Sequence, residues 1–146
     1  MDSLKILIVF ACGFVIAQIL KAIIGFASGE KMPKGIGNKI AYLGRSGGMP
    51  SGHAASFVGA TTLIGLIEGF GSTIFALAVC IALIVLYDAI NVRYAVGEQG
   101  KILQKIVRNS GLQNQKMRLI EGHTVSQILV GALLGIAIAL IFWLVF

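Results

Sequence analysis

The chain has 146 residues, 57% hydrophobic and 12% charged, with a mean hydropathy of +0.91 and a net charge of +6. This composition excludes a soluble domain of such length and predicts one all-α integral membrane domain over residues 1–146. The positive charge does not mark a nucleic-acid binder, because the basic residues flank apolar stretches, where they set topology and meet anionic lipid.

A first transmembrane helix is expected over residues 4–27, of which 10–20 carry no charge. No small-x-small cleavage site follows it, so it reads as a retained helix rather than a signal peptide. Lys21 closes it, with Gln18 one turn earlier, and taken alone it is a snorkelling lysine that sets topology.

A second helix is expected over residues 50–69. It opens with Gly47-Gly48-Met49-Pro50-Ser51-Gly52-His53. Proline suits a first helical position, where its missing N–H costs nothing. Ser51 and Gly52 offer a hydroxyl and free backbone N–H groups to an anion, which the helix dipole favours. The segment also carries Gly59, Gly65 and Thr61-Thr62, and a helix that only dipped into the membrane would change the sidedness argued below.

Gly69-Phe70-Gly71-Ser72 reads as a tight turn into a third helix over residues 72–94. An ionisable group inside a span is costly and is a functional candidate by default, which singles out Asp88. Arg93 lies five residues on, roughly 140° around an ideal helix, so the two are not obviously a same-face pair, yet they could serve one site lying between them, and Asp88 taken alone could pair with Arg93 to lower its burial cost. In residues 98–107, Ile102, Leu103, Ile106 and Val107 form an apolar stripe, while Lys101, Lys105 and Arg108 recur on another face. This predicts an amphipathic helix in the headgroup region, an anchor and a collector of anionic lipid.

The last helix is expected over residues 123–146, charge-free from 125. It opens with His123, the second of the two histidines. Gln127 lies four residues on, on the same helical face, where it can accept a hydrogen bond from one imidazole nitrogen and leave the other free to attack. Gly131 and Gly135 make a Gly-x-x-x-Gly step for close packing, within the monomer or between copies. Cys12 and Cys80 lie inside spans and read as packing residues, and no Cys/His spacing resembles a zinc site.

Every Lys and Arg except Lys5 falls at the end of the first or third helix or in the loop that follows it. With four spans both loops share one side. The positive-inside rule makes that side cytoplasmic and puts both termini outside, with Trp143 and Phe146 in the outer interfacial belt of a bacterial plasma membrane. His53, His123, Asp88, Arg93 and Lys21 converge on the basic side.

The Gly-Gly-Met-Pro-Ser-Gly-His block, then Tyr87-Asp88-Ala89 with Val92-Arg93, then Gly122-His123-Thr124 with Val130-Gly131 and Leu134-Gly135, resembles the divergent branch of the type 2 phosphatidic acid phosphatases. That superfamily is related to vanadium-dependent haloperoxidases. The resemblance runs over about residues 18–135. It implies a lipid phosphatase that uses no metal and no cofactor, with His123 as the nucleophile that forms phosphohistidine. His53 matches the general acid, and Ser51 and Gly52 the phosphate cradle.

This sequence departs from the family pattern in three places. The first motif, Lys, six residues, then Arg-Pro, is absent, and Lys21 is its positional stand-in. Met117 occupies the place of the arginine ahead of the nucleophile, leaving Arg93 as the preferred phosphate ligand and Arg118 in reserve. The acid expected four residues after the nucleophile is Gln127, and replacing such a carboxylate by an amide can cost about 10⁴ in rate. Asp88 is therefore expected to supply the carboxylate from the neighbouring helix.

The sequence reading is a cytoplasm-facing lipid phosphomonoesterase. Phosphatidylglycerophosphate is its expected substrate, with phosphatidic acid and polyprenyl (pyro)phosphates as alternatives. The competing reading is a non-catalytic lipid-phosphate-binding or scaffold membrane protein of the same descent. Self-association to wall off the site is a further expectation for so small a chain.

Overall fold

The computed structural model describes residues 2–30, 34–37, 42, 48–110 and 122–146. Among them the regular structure is helical: α1 (Asp2–Ala27), α2 (Gly52–Glu68), α3 (Thr73–Tyr87), a π-helical segment (Asp88–Val92), α4 (Arg93–Asn109) and α5 (Val125–Val145).

Close packing of small residues makes α2 the hub. It lies against α1, α3 and α5. Gly52, Ala54, Ala55, Ser56, Gly59, Leu63 and Gly65 are buried along it. A Cβ on Gly13 of α1 would stand 2.8 Å from the Ala55 carbonyl oxygen, and one on Gly59 would stand 3.0 Å from that of Gly135. These backbones touch because neither helix carries a side chain there, which is how helices associate in lipid. The Gly131–Gly135 step therefore serves packing within the monomer, on α2. Cys12 is half-buried, but Cys80 is exposed rather than packed in the core as expected.

Contacts set the helix directions. Val9, Leu63 and Ala139 share one cluster, and the Lys21 side chain meets Gly48. α1 thus runs antiparallel to α2, and α5 runs parallel to α2. Thr61 donates to the Ala78 carbonyl at 3.4 Å, and Ala54, Ala89 and Ile128 share a second cluster, so α3 returns antiparallel. Residues around 21, 51, 88 and 123 meet at one end of the bundle. At the other end Lys5 Nζ donates to the Phe146 carbonyl at 2.9 Å.

Among the described residues three helices are long and apolar enough to cross a membrane: Asp2–Ala27, Thr73–Asn109 and Val125–Val145. This differs from the four expected. α2 has 17 residues and is about 26 Å long, short of a hydrocarbon core of about 30 Å. It still lies alongside the others from end to end, so the loops before α2 and before α5 remain on one side. The Gly69–Ser72 turn forms as expected, with the Ser72 amide donating to the Gly69 carbonyl at 3.1 Å and Ser72 capping α3 through the Phe75 amide.

The third helix does not stop where its composition turns polar. It runs unbroken for 37 residues, Thr73–Asn109, because no proline interrupts it and a change from apolar to charged residues is not a stop signal. The amphipathic helix is thus the continuation of α3 and not a separate element. Its apolar stripe is exposed at Ile102, Leu103 and Ile106.

Candidate functional site

At the loop end, α2 begins two residues later than expected. Ser51 is the N-cap and Gly52 the first helical residue, so Pro50 stands outside the helix. Ser51 is fully buried. Its Oγ accepts from the Ala54 amide at 3.4 Å, its own amide donates to the Gln127 carbonyl at 3.1 Å, and its carbonyl accepts from Ala55 at 3.0 Å. The hydroxyl keeps one donor hydrogen. The amides of Gly52 and His53 find no acceptor among the described residues, and they carry the positive end of the α2 dipole. His53, in the first turn, is half-buried.

His123 is not helical. It sits in the short segment 122–124 before α5, 5% exposed, and its amide donates to the Ala89 carbonyl at 3.2 Å. Gly122 makes this approach possible, since a Cβ there would collide with the backbone of Arg93 and Tyr94. The α5 N-cap is Thr124, whose Oγ1 accepts from the Gln127 amide at 3.4 Å while Gln127 Oε1 accepts from the Thr124 amide at 3.1 Å. This capping box fixes Gln127 at the helix start with His123 one residue before the cap, and the Gln127 side chain still reaches the His123 imidazole, as expected. His123 Nδ1 is buried with no hydrogen-bond partner among the described residues.

Asp88 corrects a second expectation. Its Oδ2 accepts from Arg93 Nε at 2.6 Å, so its carboxylate is held by the arginine and not at the His123 ring. The two are a same-face pair after all, because the segment between them is π-helical. The Arg93 amide donates to the Asp88 carbonyl, an i to i+5 bond that stacks residues five apart. The remaining Arg93 nitrogens have no partner among the described residues.

Lys21 is 4% exposed, so it does not snorkel. Its stem lies over Gly48, whose φ of +74° suits glycine and where an added Cβ would stand only 3.3 Å from the lysine carbons. Its charge reaches both histidines, as does that of Arg93. Burial and then the Lys21 charge lower the His123 pKa from 6.5 to about 4, with His53 and Arg93 acting in the same sense and Gln127 opposing them. The ring is therefore neutral at pH 7 and has a lone pair to donate. Arg118, the reserve ligand, and Gly47 lie outside the described residues.

Outward of His123 is a polar cup of about 240 Å³, lined by Gly48, Tyr94, Gly97, Lys101, Gly122 and Gln127, among others. Of the residues expected to form the site, the structure gathers His53, His123, Ser51, Gly52 and Lys21 at one end of the bundle, with Arg93 and Asp88 on the adjoining π segment. Gln127 is present as a cap. The one signal that sequence reasoning passed over is Thr124-x-x-Gln127, a capping-box pattern that moves His123 off the helix.

A helical integral membrane bundle with a buried histidine and a buried lysine at one end is the class that fold and site define. The chain belongs to the Divergent PAP2 family, which it matches over residues 3–138. It is similar to the uncharacterized membrane protein YuiD of Bacillus subtilis, with 27% identity over 142 residues covering 87% of this chain and 86% of that protein. No solved structure matches it.

Proposed function

We propose that this protein is a lipid phosphate phosphatase whose site faces the cytoplasm. The observation that carries the reading is the neutral, buried His123 beside the cationic group of Lys21. In this reading Lys21, the Arg93 guanidinium and the free Gly52 and His53 amides hold the phosphate oxygens. His123 Nε2 attacks phosphorus, and the P–O bond to the lipid alcohol breaks. Burial and then the Arg93 and Lys21 charges lower the His53 pKa, with Asp88 opposing, so the imidazolium is the minor form at pH 7. That form gives its proton to the leaving oxygen, then the ring takes one from the water that cleaves the P–N bond, releasing phosphate and restoring His123. Charge stabilisation by fixed donors and a positioned proton shuttle account for most of such a barrier. The loop basic residues favour the cytoplasmic side, where phosphatidylglycerophosphate, phosphatidic acid and polyprenyl phosphates are the substrates to test.

The test is phosphate release from these lipids by the purified chain in chelator-containing buffer. Release that His123→Ala abolishes supports the reading; no release across the panel, or release that survives His123→Ala, overturns it.

One observation favours a second reading, a lipid-phosphate binder without turnover. Among the described residues Nδ1 of His123 has no acceptor, so none of them holds an N–H there to leave Nε2 free for attack. Saturable binding of the same lipids with no release is its outcome.

A further inference from the structure

Inward of His123, α3 and α5 both pack on α2 but not extensively on each other. Between them runs a groove of about 580 Å³ with an almost wholly apolar lining, which includes Leu83, Ile84, Tyr87, Ile90, Ile128 and Leu129. The groove and the polar cup lie along one seam. The same continuous helix walls both, with Leu83–Ile90 on the groove and Tyr94–Lys101 on the cup. Across the seam, Gly122, Thr124 and Gln127 face the cup, while Val125, Ile128 and Leu129 face the groove. His123 stands in the chain at the division, tied by its amide to Ala89.

We propose that this groove seats a hydrocarbon chain of the lipid whose phosphate reaches His123, so that the lipid enters sideways from the bilayer between α3 and α5. The inference rests on the lipid-phosphate reading of the site. Three observations carry it. The groove ends at Ile90 and Val125, each two residues from a polar residue of the site, Asp88 and His123. The seam is polar outward, where Lys101 and Glu98 pair at 2.7 Å, and apolar inward, the division an amphiphile has. The volume lies within the range of small-ligand sites, about 300–1,000 Å³, and is too small for a neighbouring helix about 10 Å across.

The groove spans seven residue steps of helix, Leu83 to Ile90, or about 10 Å, a third of a hydrocarbon core. It therefore reads the part of the chain nearest the headgroup. A chain leaving the bilayer for the groove gains no hydrophobic energy, since lipid is equally apolar. What the groove supplies is orientation of the phosphate towards His123.

The test uses the full chain in phosphatidylcholine nanodiscs with two photoreactive probes, phosphatidic acid and phosphatidylcholine, each bearing a diazirine near the headgroup end of one chain. The expected result is labelling within residues 83–90 and 125–129 at least fivefold stronger with the phosphatidic acid probe. Ile84→Trp and Leu129→Trp, at exposed positions compatible with folding, are expected to remove that excess. Equal labelling by both probes, labelling unchanged by tryptophan, or cross-linking between copies through a cysteine at position 84 overturns the proposal. Because labelling needs no turnover, selective labelling without phosphate release retains the groove and sinks the phosphatase, while release with even labelling does the reverse.

Discussion

Arg93 Nε and Asp88 Oδ2 are 2.6 Å apart because the five residues Asp88–Val92 form a π-helix. In an α-helix the pair would point about 140° apart. The pair is roughly 40% exposed on both sides, so it adds little to stability. Its consequence is positional: Asp88 fixes the guanidinium through Nε and leaves its terminal nitrogens for an anion. Arg93→Ala is expected to lower kcat/KM for a lipid phosphate by about 10²–10³, the effect of losing one oxyanion donor. Asp88→Asn, which weakens a charge-assisted bond, is expected to lower it by about tenfold. Steady-state phosphate release checks both, and equal losses would place the carboxylate in the reaction itself.

The low pKa of His123 has a stability consequence. The folded ring holds its proton only below about 4, while the unfolded ring takes one at 6.5. Unfolding in that window binds a proton, so the stability His123 contributes is complete above pH 6.5 and is lost as pH falls towards 4. Tm measured from pH 7.5 to 4 is expected to fall through this window, and His123→Gln is expected to flatten the fall.

Gln127 serves both the helix cap and the His123 ring, and its variants separate the two. Gln127→Ala removes half of the capping box and is expected to cost about 1 kcal/mol. Gln127→Glu keeps the box, since both residues serve at that position, and puts a negative charge at a helix N-terminus. It is expected to match or exceed the parent Tm and to raise the His123 pKa, read by imidazole NMR.

The glycine seam is expected to be intolerant. A Cβ on Gly131 would stand 2.5 Å from the Ser51 carbonyl oxygen, beneath the candidate cradle. Gly131→Val is expected to cost 1–3 kcal/mol or more by overpacking, whereas Gly71→Ala, with open space around it, is expected to be near neutral. Detergent-solubilised thermal unfolding checks the contrast.

Much of this arrangement is legible in the residues. Hydropathy and the basic loops place the apolar helices and bring both histidines to one end. The stretch from Asp88 to Arg93 is where a regular helical period misleads, because nothing in Asp-Ala-Ile-Asn-Val announces a π register. Asp88 is expected at His123 because Gln127 stands where the family has an acid, and the link to Arg93 that the structure shows depends on the π register. Counting His123 into the helix overlooks Thr124-x-x-Gln127, which marks the true boundary. Lys21 looks like an interfacial lysine in sequence, and only the approach of Gly48 shows that it is enclosed.

The central claim is that His123 carries the phosphoryl group in transit. Alkaline quenching of the full chain during turnover of a lipid phosphate, followed by peptide mass spectrometry, tests it most directly. The account predicts an acid-labile phosphoryl adduct on His123, absent from His123→Ala. Turnover with no adduct on His123 would contradict it.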